Sequence, residues 1–250
     1  MSNKVKTILI SQPKPTTEKS PYYDLAEKYK LKIDFRPFIH VEPVEAIDFR
    51  QQRINILEHS AVILTSRNAV DHFFRMCEEM RVTVPDSLKY FCISESTAYY
   101  LQKYVVYRKR KIFHGSVRFA ELIDIMKKHK KEKFLLPCSD LLKPTIPELL
   151  DEHKFDYTKA VMYKTVCSDL SDLSDVKYDM LVFFSPSGIE SLLMNFPDFT
   201  QDETRIAAFG PTTTKAVEEA GLRVDVAAPH PKAPSMSMAI EQYINDKKKK

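Results

Sequence analysis

The stretch FFSPSGIESLL, residues 183–193, joins an apolar run, a group of small hydroxyl residues and a helical pattern. ILTSRNAVDHFF, residues 63–74, has the same order far upstream. This order predicts a short buried strand that ends in serine or threonine, followed at once by a capped helix. Two such corners indicate a chain built from strand–helix units, with largely parallel sheets.

The two corners belong to a longer repeat. AVILTSRNAV matches MLVFFSPSGI in pattern, and YFCISESTAYYL matches IAAFGPTTTKAV. Residues 5–44 resemble residues 133–166 in layout, which gives the order X–Y–X′–Y′. Any α/β chain repeats such units, but the shared order favours a real duplication. We predict two small α/β lobes, and the residues alone leave open whether X packs with Y or with Y′.

Length and charge limit the classes of function. The chain has 250 residues, of which 44% are hydrophobic and 29% charged, and its net charge is +4. This composition supports a core in one or two domains. The positive charge is too small and too dispersed to predict a nucleic-acid partner, but it suits a small anionic ligand. The terminal DKKKK is interpreted as a solvated helix end rather than as a nucleic-acid or membrane contact.

Targeting, metal and cofactor motifs are lacking in the sequence. The first apolar run is too short for a signal peptide or a membrane span, so we expect a cytoplasmic protein without a membrane partner. The four cysteines and seven histidines show no metal-ligand spacing. With four glycines, no dinucleotide fingerprint and no P-loop can be drawn. We therefore predict neither a metal nor an organic cofactor.

Hydroxyl side chains recur where predicted strands end and helices begin. They are Thr65–Ser66, Ser94–Ser96–Thr97, Ser139, Ser185–Ser187 and Thr212–Thr213–Thr214. Helix N-termini at 66–69, 95–98, 186–189 and 211–214 would offer free N–H groups to anions, and Gly188 and Gly210 would let a ligand approach the backbone. Ordinary N-caps explain any one corner equally well. Five corners in two facing lobes favour a cleft that holds several anionic groups.

Motifs of covalent catalysis are also missing. No GxSxG nucleophile motif occurs, and no pair of carboxylates is placed for acid–base work. The residues therefore favour the positioning of a polyanion over covalent or metal catalysis.

Several segments together resemble the uroporphyrinogen-III synthase family, in that family's order. They are LTSRNAV, LLPCSDLLKPTIPELL, AVMYKTV, FFSPSGIESLL and AAFGPTTTKAVEEAGLRVDVAAPHP. The resemblance implies two α/β lobes with the site in the cleft, and it pairs X with Y′ and Y with X′. It places one discontinuous lobe at 1–37 and 167–250, a β linker at 38–44 and 158–166, and a continuous lobe at 45–157.

The resemblance also implies a substrate and a reaction. The substrate is hydroxymethylbilane, a linear tetrapyrrole with eight carboxylates. The reaction expels the terminal hydroxyl as water, inverts ring D through a spiro intermediate and closes the macrocycle without a cofactor. Closure without an enzyme omits the inversion, so the catalytic work is largely orientation.

Site residues follow from matching positions in the family. Tyr163 matches a cleft tyrosine that assists departure of hydroxide. The substrate-binding residues are Ser66, Thr97, Lys143, Ser185, Ser187, Gly188, Thr212 and Thr213. On an extended strand, Val161, Tyr163 and Thr165 would share one face, and Met162 and Lys164 the other.

Three alternatives remain open from the sequence. A two-lobe nucleotide-sugar transferase would share the cleft but usually has a longer chain with glycine-rich loops. A non-catalytic tetrapyrrole-binding protein could derive from the same fold. Tyr163 could also simply pack within the linker strands. We expect a monomer.

Overall fold

The structure is a computed structural model, which describes residues 4–17, 19–116, 118–173 and 177–248. The chain divides into two units of nearly equal size. Unit 1 comprises Met1–His40 and Val166–Lys250, and unit 2 comprises Val41–Thr165. The last two lysines of the basic tail, at 249 and 250, lie outside the described residues.

Unit 1 contains a five-stranded sheet whose neighbours all pair in parallel. Its strands are β1 (Thr7–Ile10), β2 (Lys32–Phe35), β9 (Met180–Phe183), β10 (Arg205–Phe209) and β11 (Val226–Ala228). Their order across the sheet is β11-β10-β9-β1-β2. Four helices of this unit are α1 (Pro21–Tyr29), α7 (Pro186–Asn195), α8 (Pro211–Glu219) and α9 (Met236–Lys248).

Unit 2 is built on a six-stranded sheet. Its strands are β3 (Ile39–Pro43), β4 (Ala61–Leu64), β5 (Lys89–Cys92), β6 (Ile112–His114), β7 (Phe134–Ser139) and β8 (Tyr157–Cys167), in the order β3-β8-β7-β4-β5-β6. The first two residues of β3 and the last two of β8 fall within unit 1. The pairs from β8 to β6 are parallel. Five helices of this unit are α2 (Ala46–Gln51), α3 (Arg67–Glu79), α4 (Glu95–Leu101), α5 (Phe119–Met126) and α6 (Thr145–Glu152).

The two sheets have one strand order in common. Read from β11 in unit 1 and from β6 in unit 2, the orders are β11-β10-β9-β1-β2 and β6-β5-β4-β7-β8. X therefore pairs with Y′ and X′ with Y, the alternative that the resemblance favours. The predicted class, α/β with two mostly parallel sheets, is confirmed.

Both sheets are buried on two faces, as parallel sheets normally are. In β1, Ile8 and Ile10 belong to one apolar cluster and Leu9 to another. In β4, Val62 and Leu64 face one cluster and Ala61 and Ile63 the other. The side chains that remain near solvent are therefore concentrated at the strand ends, where candidate site residues follow.

Local signals fix individual helix starts. Ser20 caps α1, its hydroxyl accepting from the Tyr22 amide at 3.4 Å, and Pro21 occupies the first helical position. In the segment SPYYDLAEKYK, residues 20–30, a serine followed by proline is typical of such a helix start. Among the described residues, no helix has the length and apolar character that crossing a membrane requires.

His59 makes the stability of unit 2 sensitive to acid. It is 6% exposed, its Nδ1 lies 3.0 Å from the Asn55 carbonyl oxygen, and its Nε2 is buried without a partner among the described residues. Burial lowers the pKa of His59 below its usual value. The unfolded chain, with a histidine pKa of about 6.5, then binds a proton more readily than the folded chain.

We therefore expect the free energy of unfolding to fall as the pH drops below about 6.5. In His59→Phe this dependence should be weaker, because the ring can no longer be protonated. Burial also lowers the pKa of His72 and His129, so part of the dependence should remain. Urea midpoints at pH 7.5 and 5.5 measure the effect, with His40→Gln in unit 1 as control. A His59→Phe variant with the full pH dependence would contradict this assignment.

Candidate functional site

In unit 1, the quoted stretch forms the corner between β9 and α7. Ser185 has an extended backbone and caps the helix, its hydroxyl accepting from the Gly188 amide at 3.3 Å. Pro186 takes the first helical position, and Ser187 follows it, half-buried. The helix begins within the predicted 186–189 segment.

Gly188 is packed closely against β9. It is buried, and a Cβ at this position would lie 3.2 Å from Cδ1 of Phe183. Its amide is already engaged by Ser185. The missing side chain thus lets α7 approach β9, and the expectation that Gly188 opens the backbone to a ligand stays a prediction.

The second corner of unit 1 lies between β10 and α8 and lacks a side-chain cap. Gly210 occupies the cap position with φ +88°, a conformation that favours glycine. No side chain of the described residues caps the first turn. Thr212 is exposed there, whereas Thr213 is 1% exposed and its Oγ1 has no partner among the described residues. Thr212 can thus meet a ligand, whereas the Thr213 hydroxyl is buried and its role in binding stays a prediction.

In unit 2, Ser66 forms the corner between β4 and α3. Its Oγ accepts from the Ala69 amide at 3.1 Å. Arg67, the first residue of α3, is exposed, and its guanidinium carbon lies 5.3 Å from the centre of the Tyr100 ring. The described residues include no ion-pair partner for Arg67. A cation thus stands beside a helix N-terminus, where the helix dipole also favours anions.

The next corner of unit 2 lies between β5 and α4. Ser94 caps α4, and its Oγ meets the Thr97 amide at 3.3 Å and the Thr97 Oγ1 at 3.1 Å. Thr97 is 4% exposed. The Thr97 hydroxyl is buried against the capping serine, and the substrate contact expected for it stays a prediction. Ser96, whose Oγ lies 2.9 Å from that of Ser94, is exposed.

Ser139 does not start a helix. It ends β7, its Oγ donates to Asp140 Oδ1 at 2.7 Å, and α6 begins only at Thr145. Asp140 in turn accepts from the Thr165 amide at 3.0 Å, which ties the turn to β8. Lys143, in the loop between β7 and α6, is exposed. The fifth corner is therefore a turn with a free basic side chain nearby rather than a helix N-terminus.

Tyr163 lies at an irregularity in β8. Cys138 pairs with Val161 but Ser139 pairs with Tyr163, so Met162 is an extra residue in the ladder. Gln52 satisfies the backbone here, accepting from Val161 N at 3.0 Å and donating to Val161 O at 2.7 Å. Met162 and Tyr163 consequently pack in the same cluster. The expected alternation, with Met162 opposite Tyr163, is wrong because the bulge shifts the pleat by one residue.

The bulge brings Tyr163 to the start of α3. Its ring stacks on His72 with centroids 4.9 Å apart, and only 7% of the residue is exposed. Burial raises the pKa of Tyr163, and the nearby Ser66 side chain partly opposes this rise. The phenol therefore keeps its proton at neutral pH, and two predicted site residues meet at one corner.

The guanidinium group of Arg75 fixes this arrangement through three hydrogen bonds. Its Nη2 donates to the carbonyl oxygens of Val44 at 2.9 Å and Met162 at 3.0 Å, and its Nε donates to His72 Nδ1 at 3.3 Å. One guanidinium thus fixes both the backbone next to Tyr163 and the ring stacked on it. Since His72 Nδ1 accepts, its Nε2 carries the proton in the neutral ring.

Sequence analysis missed Arg67, His72 and Arg75 as members of this site. All three lie on α3, and no motif distinguishes them from ordinary polar residues of a helix surface. The residues that the structure describes contain no group of three or more His, Cys, Asp or Glu side chains that could hold a metal ion.

Comparison with known proteins decides the family. The family model described as "Uroporphyrinogen-III synthase HemD" matches residues 20–237, which is most of the chain. The chain belongs to the uroporphyrinogen-III synthase family. The resemblance carried by the quoted segments is thereby confirmed.

Individual members of the uroporphyrinogen-III synthase family agree with this assignment. The synthase of Chlorobaculum parvum is 26% identical over 259 residues, covering 96% of this chain and 100% of the relative. That of Saccharomyces cerevisiae is 27% identical over 150 residues, covering 52% and 54%. The crystal structure of the Helicobacter pylori synthetase has a TM-score of 0.62 at 19% identity, covering 96% of this chain and 99% of that one. At this identity the structural likeness shows a shared fold.

Proposed function

We propose that this member of the uroporphyrinogen-III synthase family is a working enzyme, a lyase of tetrapyrrole biosynthesis. It converts hydroxymethylbilane into uroporphyrinogen III, with loss of water and inversion of ring D. The observation that carries the proposal is the corner at which Tyr163 meets Ser66, held by His72 and Arg75.

Tyr163 assists departure of the substrate's terminal hydroxyl. Burial keeps its phenol protonated at neutral pH, so the phenol can donate a hydrogen bond or a proton to the leaving oxygen. Ser66 and the His72 ring hold the phenol in place, which limits the reorganisation needed in the transition state. The departing hydroxide leaves as water, and no organic cofactor or metal takes part in this proposal.

Carboxylates of the substrate bind at the helix starts of each unit. Ser66 and Arg67 contact a carboxylate at the start of α3, and Ser185 and Ser187 contact one at the start of α7. Thr212 does so at the uncapped start of α8, and Lys143 is a further cation. Free N–H groups and the helix dipole favour a carboxylate at each of these points. The helix starts are also shaped by the buried residues Thr97, Gly188 and Thr213, which pack against neighbouring side chains.

Catalytic turnover separates this function from its alternative. Purified protein should consume fresh hydroxymethylbilane faster than the compound cyclises alone, in proportion to the protein concentration. A chain that bound the compound tightly but left its rate of disappearance unchanged would be a non-catalytic binding protein, and the proposal would fall.

The uncapped start of α8 provides a sharp binding test. Thr212→Asp places a fixed carboxylate where a substrate carboxylate would lie, so we expect KM to rise about tenfold or more through like-charge repulsion and lost backbone donors. Thr212→Ala should have a modest effect, about 0.5–2 kcal/mol by analogy with cap losses. Thr83→Asp, an exposed threonine before β5, is the matched control.

Steady-state kinetics at two ionic strengths measure this prediction. Added salt should raise KM for the parent chain, because exposed charge contacts are screened. If Thr212→Asp and Thr83→Asp had the same KM, α8 would not belong to the binding site.

Two further features complete the proposal. The four cysteines are free thiols, three of them buried, which suits the reducing cytoplasm. All residues proposed for the site come from one chain, which is consistent with a monomeric enzyme.

A further inference from the structure

Unit 2 contains a cavity at the edge of its sheet opposite the corners described above. Its volume is about 420 Å³, and it lies where β5 and β6 begin, around the paired residues Tyr90 and Ile112. The segments that precede these two strands contribute much of its wall. Because Ser66 and Thr97 follow the carboxyl ends of strands, this cavity is separate from the proposed catalytic corner.

The side chain of a largely buried tyrosine lines this cavity. Tyr90 is 4% exposed as a whole residue, and no residue of the described chain forms a hydrogen bond with its phenol. The phenol is therefore available to water in the cavity or to an acceptor on a ligand. Burial raises the pKa of Tyr90, so the phenol is a donor at neutral pH.

Aromatic side chains line the cavity beside that phenol. Phe74 and Tyr104 stack face to face, with ring centroids 4.4 Å apart and an angle of 4° between their planes, and the ring centroids of Phe74 and Tyr90 are 6.3 Å apart. Lys103 Nζ lies 4.9 Å from the centre of the Tyr104 ring, and the Tyr104 phenol donates to Asp71 Oδ1 at 2.5 Å. Leu88 and Ile112 add apolar surface. Such a lining favours an aromatic ring, which packs well against ring edges, over a flexible polar chain.

The remaining wall carries more positive than negative charge. Arg108 and Lys111 line the cavity, and Asp86 is the acidic residue among its lining side chains. Lys111 Nζ donates to the backbone oxygen of Asp86, so its charge is held at the wall. Lys109 and Arg110, next to Arg108 in sequence, are exposed and add to the local positive potential.

We propose that this cavity is a second ligand site, which binds a small aromatic carboxylate. The ring packs against Leu88, Ile112 and the side of the Phe74–Tyr104 stack, the carboxylate pairs with Arg108 and Lys111, and the Tyr90 phenol donates to an acceptor on the ligand. The cavity volume lies in the lower part of the range of about 300–1,000 Å³ that is typical of small-molecule sites. A cavity of this size suits a ligand of one or two fused rings. The inference concerns binding alone and is independent of the proposed reaction.

In the test, the full chain is titrated with 2-naphthoate as the probe. Binding is measured by calorimetry and by the shifts of the NMR signals of the Ile112 methyl groups. Saturable binding of one molecule per chain is expected, with the neutral analogue 2-naphthalenemethanol binding about tenfold more weakly, since a charge-assisted contact is lost. Arg108→Gln should weaken 2-naphthoate binding about tenfold or more. Lys109→Gln, which alters a neighbouring cation outside the cavity wall, should leave it unchanged.

Tyr90→Phe keeps the ring and removes the phenol oxygen, so it should weaken binding about two- to tenfold. Its urea midpoint shows that the variant folds, and the exposed Arg108 variant provides an independent test if it does not. Equal affinity in the Arg108→Gln and Lys109→Gln chains would overturn the proposal. So would an absence of saturation at millimolar 2-naphthoate, or binding that leaves the Ile112 signals unmoved.

Discussion

Tyr163→Phe should lower the rate of uroporphyrinogen III formation by about 10²- to 10⁴-fold, the usual contribution of a positioned acid. The phenol is buried beside Ser66, stacked on His72 and kept protonated by its surroundings. Phenylalanine preserves the ring, its packing and the bulge in β8. The variant therefore removes one hydroxyl from the site and little else.

Single-turnover measurements with hydroxymethylbilane check this result. Tyr157→Phe is the matched control, because Tyr157 is a half-buried tyrosine of the same strand, six residues earlier. Arg75→Met should also slow the reaction, since it frees the Met162 carbonyl and the His72 ring that together position Tyr163. If Tyr163→Phe formed uroporphyrinogen III at the parent rate, Tyr163 would be a packing residue and the proposed acid would be wrong.

Phe134→Ala should lower the free energy of unfolding by about 3–5 kcal/mol, the range for a large aromatic truncated in a core. Phe134 begins β7 in the middle of the sheet of unit 2 and is fully buried. Its ring meets Phe91 edge-to-face at 5.3 Å and Phe155 at 5.6 Å. Since domains are stable by only about 5–15 kcal/mol, the loss would be a large fraction of the total.

Urea unfolding, monitored by far-UV circular dichroism, measures the change in the free energy of unfolding. Circular dichroism suits this chain because the chain has no tryptophan to report unfolding by fluorescence. Phe134→Leu keeps most of the volume and should cost much less, which separates cavity formation from loss of the aromatic contacts. If Phe134→Ala lowered the free energy of unfolding by less than about 1 kcal/mol, the neighbouring side chains would have filled the space and left no cavity.

The two sheets could be predicted from the sequence because their signals are local. Each buried strand is a short apolar run, and Ser66, Ser94 and Ser185 start helices through bonds to amides three residues ahead. Such caps need no tertiary information. The repeat X–Y–X′–Y′ was visible for the same reason, and the shared strand order of the two sheets now gives it a structural counterpart.

The elements that were missed are short or depend on distant partners. The strand Ile112–His114 has three residues and follows a run of basic side chains, so its apolar pattern is too brief to identify. The register shift at Cys138/Ser139 depends on how β7 meets β8, and Gln52 from a different element completes it. A strict alternation of faces therefore placed Met162 opposite Tyr163 incorrectly.

The positions of the strand–helix corners in the candidate site could be predicted from the sequence, but the side-chain contacts at those corners could not. Thr97 and Thr213 look like surface hydroxyls in the sequence, yet the first turn of each helix rotates them into the interior. Arg75 reaches the carbonyl oxygens of Val44 and Met162, which lie 31 and 87 residues away in sequence. Contacts over such separations follow from the folded sheet and leave no local pattern.

The isomer composition of the product shows whether the protein inverts ring D. Purified protein is incubated with fresh hydroxymethylbilane, the products are oxidised, and the uroporphyrin isomers are separated beside a protein-free sample. We expect the isomer with inverted ring D to dominate and its share to rise with protein concentration until little of the other isomer forms. If the product with protein had the same composition as the product without it, the chain would not be a working synthase.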